Sequence, residues 1–288
     1  MKSYTIFTDS ACDIPASLLE QWGVARVDLT FRFQGEDTEY AEGQMSSHDF
    51  YERMRKGGIA KTSAVNSETF KEAFSAELAK GRDILYIGFS SGLSTTFNSG
   101  RIAAQELCEQ YPERTIEVID SLAASAGFGL LIALAAEKRD EGASLADLAE
   151  YITSLIPSIC QWFTVDDLVY LKRGGRVSPT VAFVGNLLGI KPVLHVDDEG
   201  HLINMSKARG RRAAIMALAQ KYEELHDSSA SNRVFISHGD CEEDANTLKQ
   251  MLESKHGATV ELITPVGTVI GAHSGPGTLA FFFLSTKR

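Results

Sequence analysis

Between Tyr4 and Ile119, short β-type runs alternate with segments of helical length. Tyr4-Thr5-Ile6-Phe7-Thr8 alternates apolar and polar side chains, and Ile84-Leu85-Tyr86-Ile87-Gly88-Phe89 is almost continuously apolar. A third run covers residues 116–119. Parallel strands need a crossover, usually a helix, so this order predicts a largely parallel sheet wrapped by helices.

The intervening segments carry their own signals. Asp13 before Pro15 predicts a capped helix through Trp22. Val27, Leu29, Phe31 and Phe33 alternate with Arg26, Asp28, Thr30 and Arg32, which predicts one half-buried strand turning at Gln34-Gly35-Glu36-Asp37. Ser47 is placed to cap a short helix ending at Gly57-Gly58, and Lys61-Thr62-Ser63 reads as a polar loop. Phe70, Ala73, Phe74 and Leu78 fall on one helical face. A further helix is expected to about Tyr111, an Ala-rich buried helix over residues 123–136, and another through Ile156. The pattern changes near Pro157-Ser158, and the expected division is at 162. Residues 1–162 form an N-terminal α/β lobe, a mainly parallel sheet sandwiched by helices. Residues 163–288 form a second α/β lobe, with a helical pair around Lys172-Arg173-Gly174-Gly175-Arg176 and a hairpin turning at Asp197-Asp198-Glu199-Gly200.

With 288 residues, 44% of them hydrophobic, two packed cores are affordable. A formal charge of −10 argues against nucleic acid as a partner, because phosphate-backbone binding rests on clustered cations. Cys12, Cys108, Cys160 and Cys241 stand far apart, and no two histidines have metal-ligand spacing, so reduced, mostly buried thiols and no metal are expected. The opening residues reach Asp9 before any apolar h-region, and residues 123–136 are too short to span a bilayer. A cytoplasmic protein without membrane insertion is the expectation.

The chemistry concentrates in Gly88-Phe89-Ser90-Ser91-Gly92-Leu93-Ser94-Thr95-Thr96, a hydroxyl-rich loop between a strand and a helix. Such a loop turns amide N–H groups toward whatever binds there. It holds neither a P-loop nor a dinucleotide fingerprint, so no nucleotide cofactor is expected, and the guest it suits is an anion of low charge such as a carboxylate. The same stretch matches G-x-S-x-G, which makes a serine hydrolase using Ser90 the alternative reading, with Asp240 and His273 or His238 as partners. No HGGG-like oxyanion segment precedes it. His273 stands among glycines and a proline, in an expected loop. Thr8-Asp9-Ser10-Ala11-Cys12-Asp13 lacks the Asp-x-Asp spacing of an aspartyl phosphatase, so helix capping by Asp13 accounts for it better. Lys207, Arg209, Arg211 and Arg212 form a basic cluster where a strand passes into a helix.

Taken in order, Thr8-Asp9-Ser10-Ala11-Cys12-Asp13, Lys61-Thr62-Ser63, Ser90-Ser91-Gly92-Leu93-Ser94-Thr95-Thr96, Asp120-Ser121, Arg173-Gly174-Gly175-Arg176-Val177-Ser178, Lys191-Pro192-Val193-Leu194 and Gly271-Ala272-His273-Ser274-Gly275-Pro276-Gly277-Thr278 resemble the DegV family. The likeness spans nearly the whole chain. It implies a DegV-like body of two α/β lobes clasping one long-chain, palmitate-like fatty acid, as in the fatty-acid-binding subunit of bacterial fatty acid kinase. By that resemblance the chain has no turnover of its own. A separate ATP-dependent kinase would make the acyl phosphate during fatty acid uptake. The resemblance also implies that Thr62 and Ser94 donate to the carboxylate, with His273 nearby and Arg209 assisting phosphate transfer or partner contact. Thr95 replaces the glycine usual after that serine. The acyl tail is the only implied guest, no cofactor being called for, and burying about 14 methylenes at ~0.8 kcal/mol each supplies roughly 11 kcal/mol of gross driving force. Phe89, Phe97, Phe128, Phe183 and Leu187 are candidates to line its tunnel, each being equally suited to the core.

Overall fold

In the computed structural model, residues 3–177, 189–227, 231–286 and 288 are described. The parallel sheet predicted from the β–α alternation is present. Its strands β1 (Tyr4–Asp9), β2 (Val24–Val27), β6 (Asp83–Gly88) and β7 (Ile116–Asp120) lie in the order β2-β1-β6-β7, all parallel. Every residue of β6 is buried, as a central strand covered on both faces must be. Helices α3 (Ser67–Leu78) and α4 (Thr96–Gln110) pack together and meet Tyr86 through Phe70, Phe74 and Phe97. Helices α5 (Ser125–Asp140) and α6 (Leu145–Leu155) form another packed pair.

The expected strand through Val27 and Phe33 is two strands in different sheets. Asp28 turns back to an ion pair with Arg26 at 2.6 Å, and Ser10 Oγ accepts the Leu29 amide at 2.9 Å, which bends the chain there. Beyond the bend, β3 (Thr30–Phe33) pairs antiparallel with β4 (Tyr40–Ala41) and with β5 (Ala60–Ser63). The hairpin expected at residues 34–37 therefore exists. Lys61-Thr62-Ser63, expected as a loop, is instead part of β5, where Thr62 pairs with Phe31. This small sheet packs its Phe31 and Phe33 against Phe50 and Tyr51 of α2 (Ser47–Arg55). The cap of α2 is Ser46, one residue earlier than expected, its hydroxyl accepting from the Asp49 amide.

Asp13 is not a helix N-cap either. The helix α1 (Ala16–Gln21) begins after Pro15, and Asp13 ends a short 3-10 turn in the left-handed region at φ 52°.

The second lobe is a six-stranded sheet in the order β10-β9-β8-β13-β11-β12. Its strands are β8 (Ile159–Thr164), β9 (Ile190–Val196), β10 (Leu202–Arg209), β11 (Arg233–His238), β12 (Thr259–Pro265) and β13 (Leu279–Leu284). All neighbours are antiparallel except β11 and β12. The hairpin of β9 and β10 turns at the expected Asp197 to Gly200. Residue 162 falls inside β8, all of which belongs to this sheet.

Strand alternation gives the sheet two different faces. Val234, Ile236, Phe281 and Phe283 meet Leu218 and Tyr222 of α8 (Arg211–Leu225) and Leu248 and Leu252 of α9 (Glu242–His256). Phe163, Leu194, Ala280 and Phe282 face the other way and join the N-terminal core, so one continuous cluster spans both lobes. Two short helices close this inner side, α7 (Val169–Arg173) and α10 (Thr268–Ser274), and they pack on each other. His273, expected in a loop, sits in the last turn of α10. Of the thiols expected to be mostly buried, Cys12 and Cys160 are buried and Cys241 is partly so, and Cys108 is exposed. Among the described residues, no helix is long and apolar enough to cross a membrane.

Candidate ligand-binding site

A cavity of about 300 Å³ opens between the inner face of the six-stranded sheet and the loops of the N-terminal lobe. Its wall is largely apolar, with Leu29, Phe89, Leu93, Phe163, Val269 and Phe282 among the lining side chains. Polar groups enter it at separate places. Thr62 from β5, Ser94 and Thr95 from the loop before α4, Arg176 from beyond α7 and His273 from α10 all reach it.

Each of these groups is held by its own element. Thr62 Oγ1 and His273 Nε2 are 2.8 Å apart. The Leu93 and Ser94 amides both turn back to the Ser90 carbonyl, at 3.0 and 3.1 Å, which folds the loop tightly. Ser94 Oγ accepts the Thr96 amide at 3.2 Å and shares a hydrogen bond with Thr96 Oγ1 at 2.9 Å. Arg176 donates from Nε to the Leu93 carbonyl at 3.0 Å and also donates to the Gly174 carbonyl. It thereby links the Ser94 loop to the turn that covers His273.

Electrostatics suit the cavity to one anion. Burial, reinforced by the Arg176 charge, pushes the His273 imidazole down to about 4, so the ring is neutral near pH 7. Burial also lowers Arg176 from its ordinary value, though guanidinium stays charged. Two of the five N–H groups of Arg176 go to carbonyls, and the residue lines the cavity together with the neutral histidine, Thr62 and Ser94.

Of the residues singled out in the sequence, Thr62, Ser94, His273 and Phe89 line this one cavity. Arg209 does not line it and lies exposed at the end of β10. Phe97 and Phe128 are buried in the N-terminal core without lining the cavity, Phe97 stacking on Tyr86. Phe183 and Leu187 lie outside the described residues. Arg176 was visible only as part of a motif. Its signal was an arginine held next to two glycines, Gly174 and Gly175, of which Gly174 presses on His273 so closely that a Cβ there would overlap Nδ1. Thr95 needs no glycine, because its backbone is right-handed helical at φ −78°.

The hydrolase alternative does not assemble. Ser90 is fully buried, donates to the Gly200 carbonyl at 2.9 Å and accepts from the Gly92 amide at 3.2 Å. His273 is bonded to Thr62, His238 Nδ1 accepts from the Cys241 amide, and Asp240 binds His48 and Arg55. The G-x-S-x-G match thus marks a packed joint between the lobes. Asp9 is likewise structural, its carboxylate accepting from Tyr86 OH and the Phe89 and Ala11 amides while burial lifts it to about 6. No cluster of three or more metal-ligating side chains occurs among the described residues.

Similarity to known proteins agrees over the whole length. The sequence model of the DegV family, an uncharacterised protein family by its description, matches residues 3–286. A DegV domain-containing protein of Clostridium perfringens is 42% identical over 291 residues, covering 100% of this chain and 99% of that protein. The crystal structure of a DegV lipid-binding protein from Thermotoga maritima superposes with a TM-score of 0.86 at 31% identity, covering 100% of both chains. A DegV family protein from Thermus thermophilus, described for its fatty acid binding, gives 0.88 at 30% identity over 98% of this chain and 99% of that one. With a family match that leaves out only a few terminal residues, this chain belongs to the DegV family.

Proposed function

We propose that this protein binds one long-chain fatty acid of palmitate type and presents its carboxylate without turning it over. The observation that carries the reading is the shared cavity, in which Thr62, Ser94, Arg176 and His273 interrupt an otherwise largely apolar wall. A carboxylate taken out of water must be compensated, and hydroxyl donors with one cation do so. Relatives described as lipid-binding and fatty-acid-binding support the same class of guest. Arg209, exposed near Arg211 and Arg212, is then assigned to contact with a separate ATP-dependent kinase that phosphorylates the presented carboxylate. Such a carrier works in the cytoplasm.

Titration of delipidated protein with palmitate tests the first part, with saturation at one acid per chain expected. Incubation of the purified chain with ATP and palmitate tests the second. It is expected to release no ADP, and sustained ADP release contradicts the carrier reading.

A further inference from the structure

Away from the Thr62–His273 pair, the cavity wall carries a second polar group that the proposed carboxylate site does not use. Ser125, at the start of α5, and Ser237, on the inner face of β11, both line the cavity. Their hydroxyls are 2.9 Å apart, and Ser125 Oγ donates to Asp13 Oδ2 at 2.5 Å. Asp13 is buried, and its Oδ1 lies against the Gly267 backbone. The chain of groups joins three elements: the turn after β1, α5 and the second-lobe sheet.

This arrangement is built at a conformational cost. Asp13 at φ 52° and Ser125 at φ 54° are both non-glycine residues in the left-handed region, where L side chains are disfavoured. Asp tolerates this region at the end of a 3-10 turn, so Ser125, which lines the cavity and is bonded to Asp13, is the strained member of the pair. An acyl tunnel does not need the pair, because an apolar wall would do the same work without burying a carboxyl group.

The hydrogen count leaves one open position whichever way the protons lie. With Asp13 ionised, Ser125 donates to it and Ser237 donates to Ser125, leaving the Ser237 oxygen free to accept. With Asp13 protonated, the donations can reverse and Ser237 is left with a free O–H. Ser237 is the end of the relay and can meet either a donor or an acceptor.

The relay lies at a distance from the carboxylate site along α10. A Cβ built on Gly267, just before α10, would be 2.6 Å from Asp13 Oδ1, whereas His273 lies in the last turn of the same helix. Six residues of helix separate these points by about 9 Å. Ser237 lines the same cavity as Thr62 and Ser94, so a fatty acid whose head is at those two hydroxyls can run its chain past Ser237.

We infer that the Ser237–Ser125–Asp13 relay is a recognition site for a mid-chain oxygen function, a hydroxyl or keto group, on the bound acyl chain. The inference rests on the fatty-acid reading and adds a chemical subclass to it. It is tested with delipidated protein and two sets of probes, octadecanoic acid and a series of octadecanoic acids carrying one hydroxyl at successive mid-chain carbons. Wild type is expected to bind one positional isomer about three- to tenfold more tightly than its neighbours, the size of one net hydrogen bond. Ser237→Ala is expected to erase that preference while binding octadecanoic acid as before. Ser237→Thr, which keeps the hydroxyl, is expected to retain it. A flat series in wild type, or a preference that survives Ser237→Ala, overturns the inference while octadecanoic acid still binds. Failure of every acid to bind wild type overturns the fatty-acid reading itself.

Discussion

Thr62 Oγ1 lies 2.8 Å from His273 Nε2, a hydrogen bond that joins the edge of the small antiparallel sheet to the helix before the last strand, 211 residues away. Because His273 is neutral, its single ring proton decides what Thr62 can do. With the proton on Nε2, the histidine donates to Thr62 and leaves the threonine O–H free for an incoming anion. With the proton on Nδ1, that N–H is buried without a partner, since Nδ1 has none. In the Nε2–H tautomer Nδ1 is a buried lone pair against Gly174, and that tautomer is the one that arms Thr62 as a donor to an anion.

Replacing both Thr62 and Ser94 by Ala removes the two hydroxyls from the proposed carboxylate site. Palmitate affinity is expected to fall by well over ~1 kcal/mol, with little change in melting temperature because both side chains are only half-buried. Isothermal titration checks it, and unchanged binding removes these residues from the site.

Gly174→Ala tests the same site from behind. The backbone there, at φ −72°, accepts alanine, so the effect is steric alone: the new methyl meets His273 Nδ1 and pushes the ring away from Thr62. Weaker palmitate binding by a factor of about ten is expected, with the fold intact by circular dichroism. Alanine tolerated at full affinity contradicts the packing described.

Stability should vary with pH through His273 in a definite sense. Folding depresses its pKa from 6.5 to about 4, so its contribution is present above 6.5 and lost as pH falls through 4. Asp9 acts oppositely: raised from 3.8 to about 6, it contributes below 3.8 and loses that contribution as pH rises through 6. The difference between wild type and His273→Gln isolates the histidine. In urea unfolding this difference is expected to move against wild type by on the order of 1 kcal/mol from pH 7.5 to pH 4.5, after allowance for the part of the ring that water still reaches. A difference independent of pH over that range contradicts the assigned burial.

Ser90→Ala separates a lobe joint from a nucleophile. The variant is expected to lose ~1–2 kcal/mol of stability, because the Gly200 carbonyl and the Gly92 amide lose their buried partner. Neither it nor wild type is expected to react with a fluorophosphonate probe, and labelling of wild type at Ser90 would reverse the assignment.

Much of this was legible in the residues because local and tertiary preferences agree. The apolar run of β6 and the alternating run of β1 could only be strands, and Ser94 sits where a strand-to-helix loop turns its polar groups outward. Thr62 and His273 were found through motifs, although both were expected in loops. Thr62 proved to lie on a strand because Phe31 of β3 supplies its pairing partner, a nonlocal contact that no nearby residue announces. The break at Asp28 was hidden for a similar reason: the group that bends the chain, Ser10, is nineteen positions from the Leu29 amide it holds. Phe97 and Phe128 show the limit of composition, since a phenylalanine facing a cavity and one facing the core look alike in sequence. Arg176 escaped because a lone arginine beside glycines reads as a turn until Leu93 and His273 are seen around it.

What occupies the cavity decides whether this protein is a fatty acid carrier. Mass spectrometry of the organic extract from freshly purified protein, quantified against chain concentration, is the direct measurement. The prediction is one predominant class of long-chain fatty acid at close to one mole per mole, depleted in Thr62→Ala/Ser94→Ala protein prepared alongside. An extract without fatty acid, from protein that also fails to take up added palmitate, would contradict it.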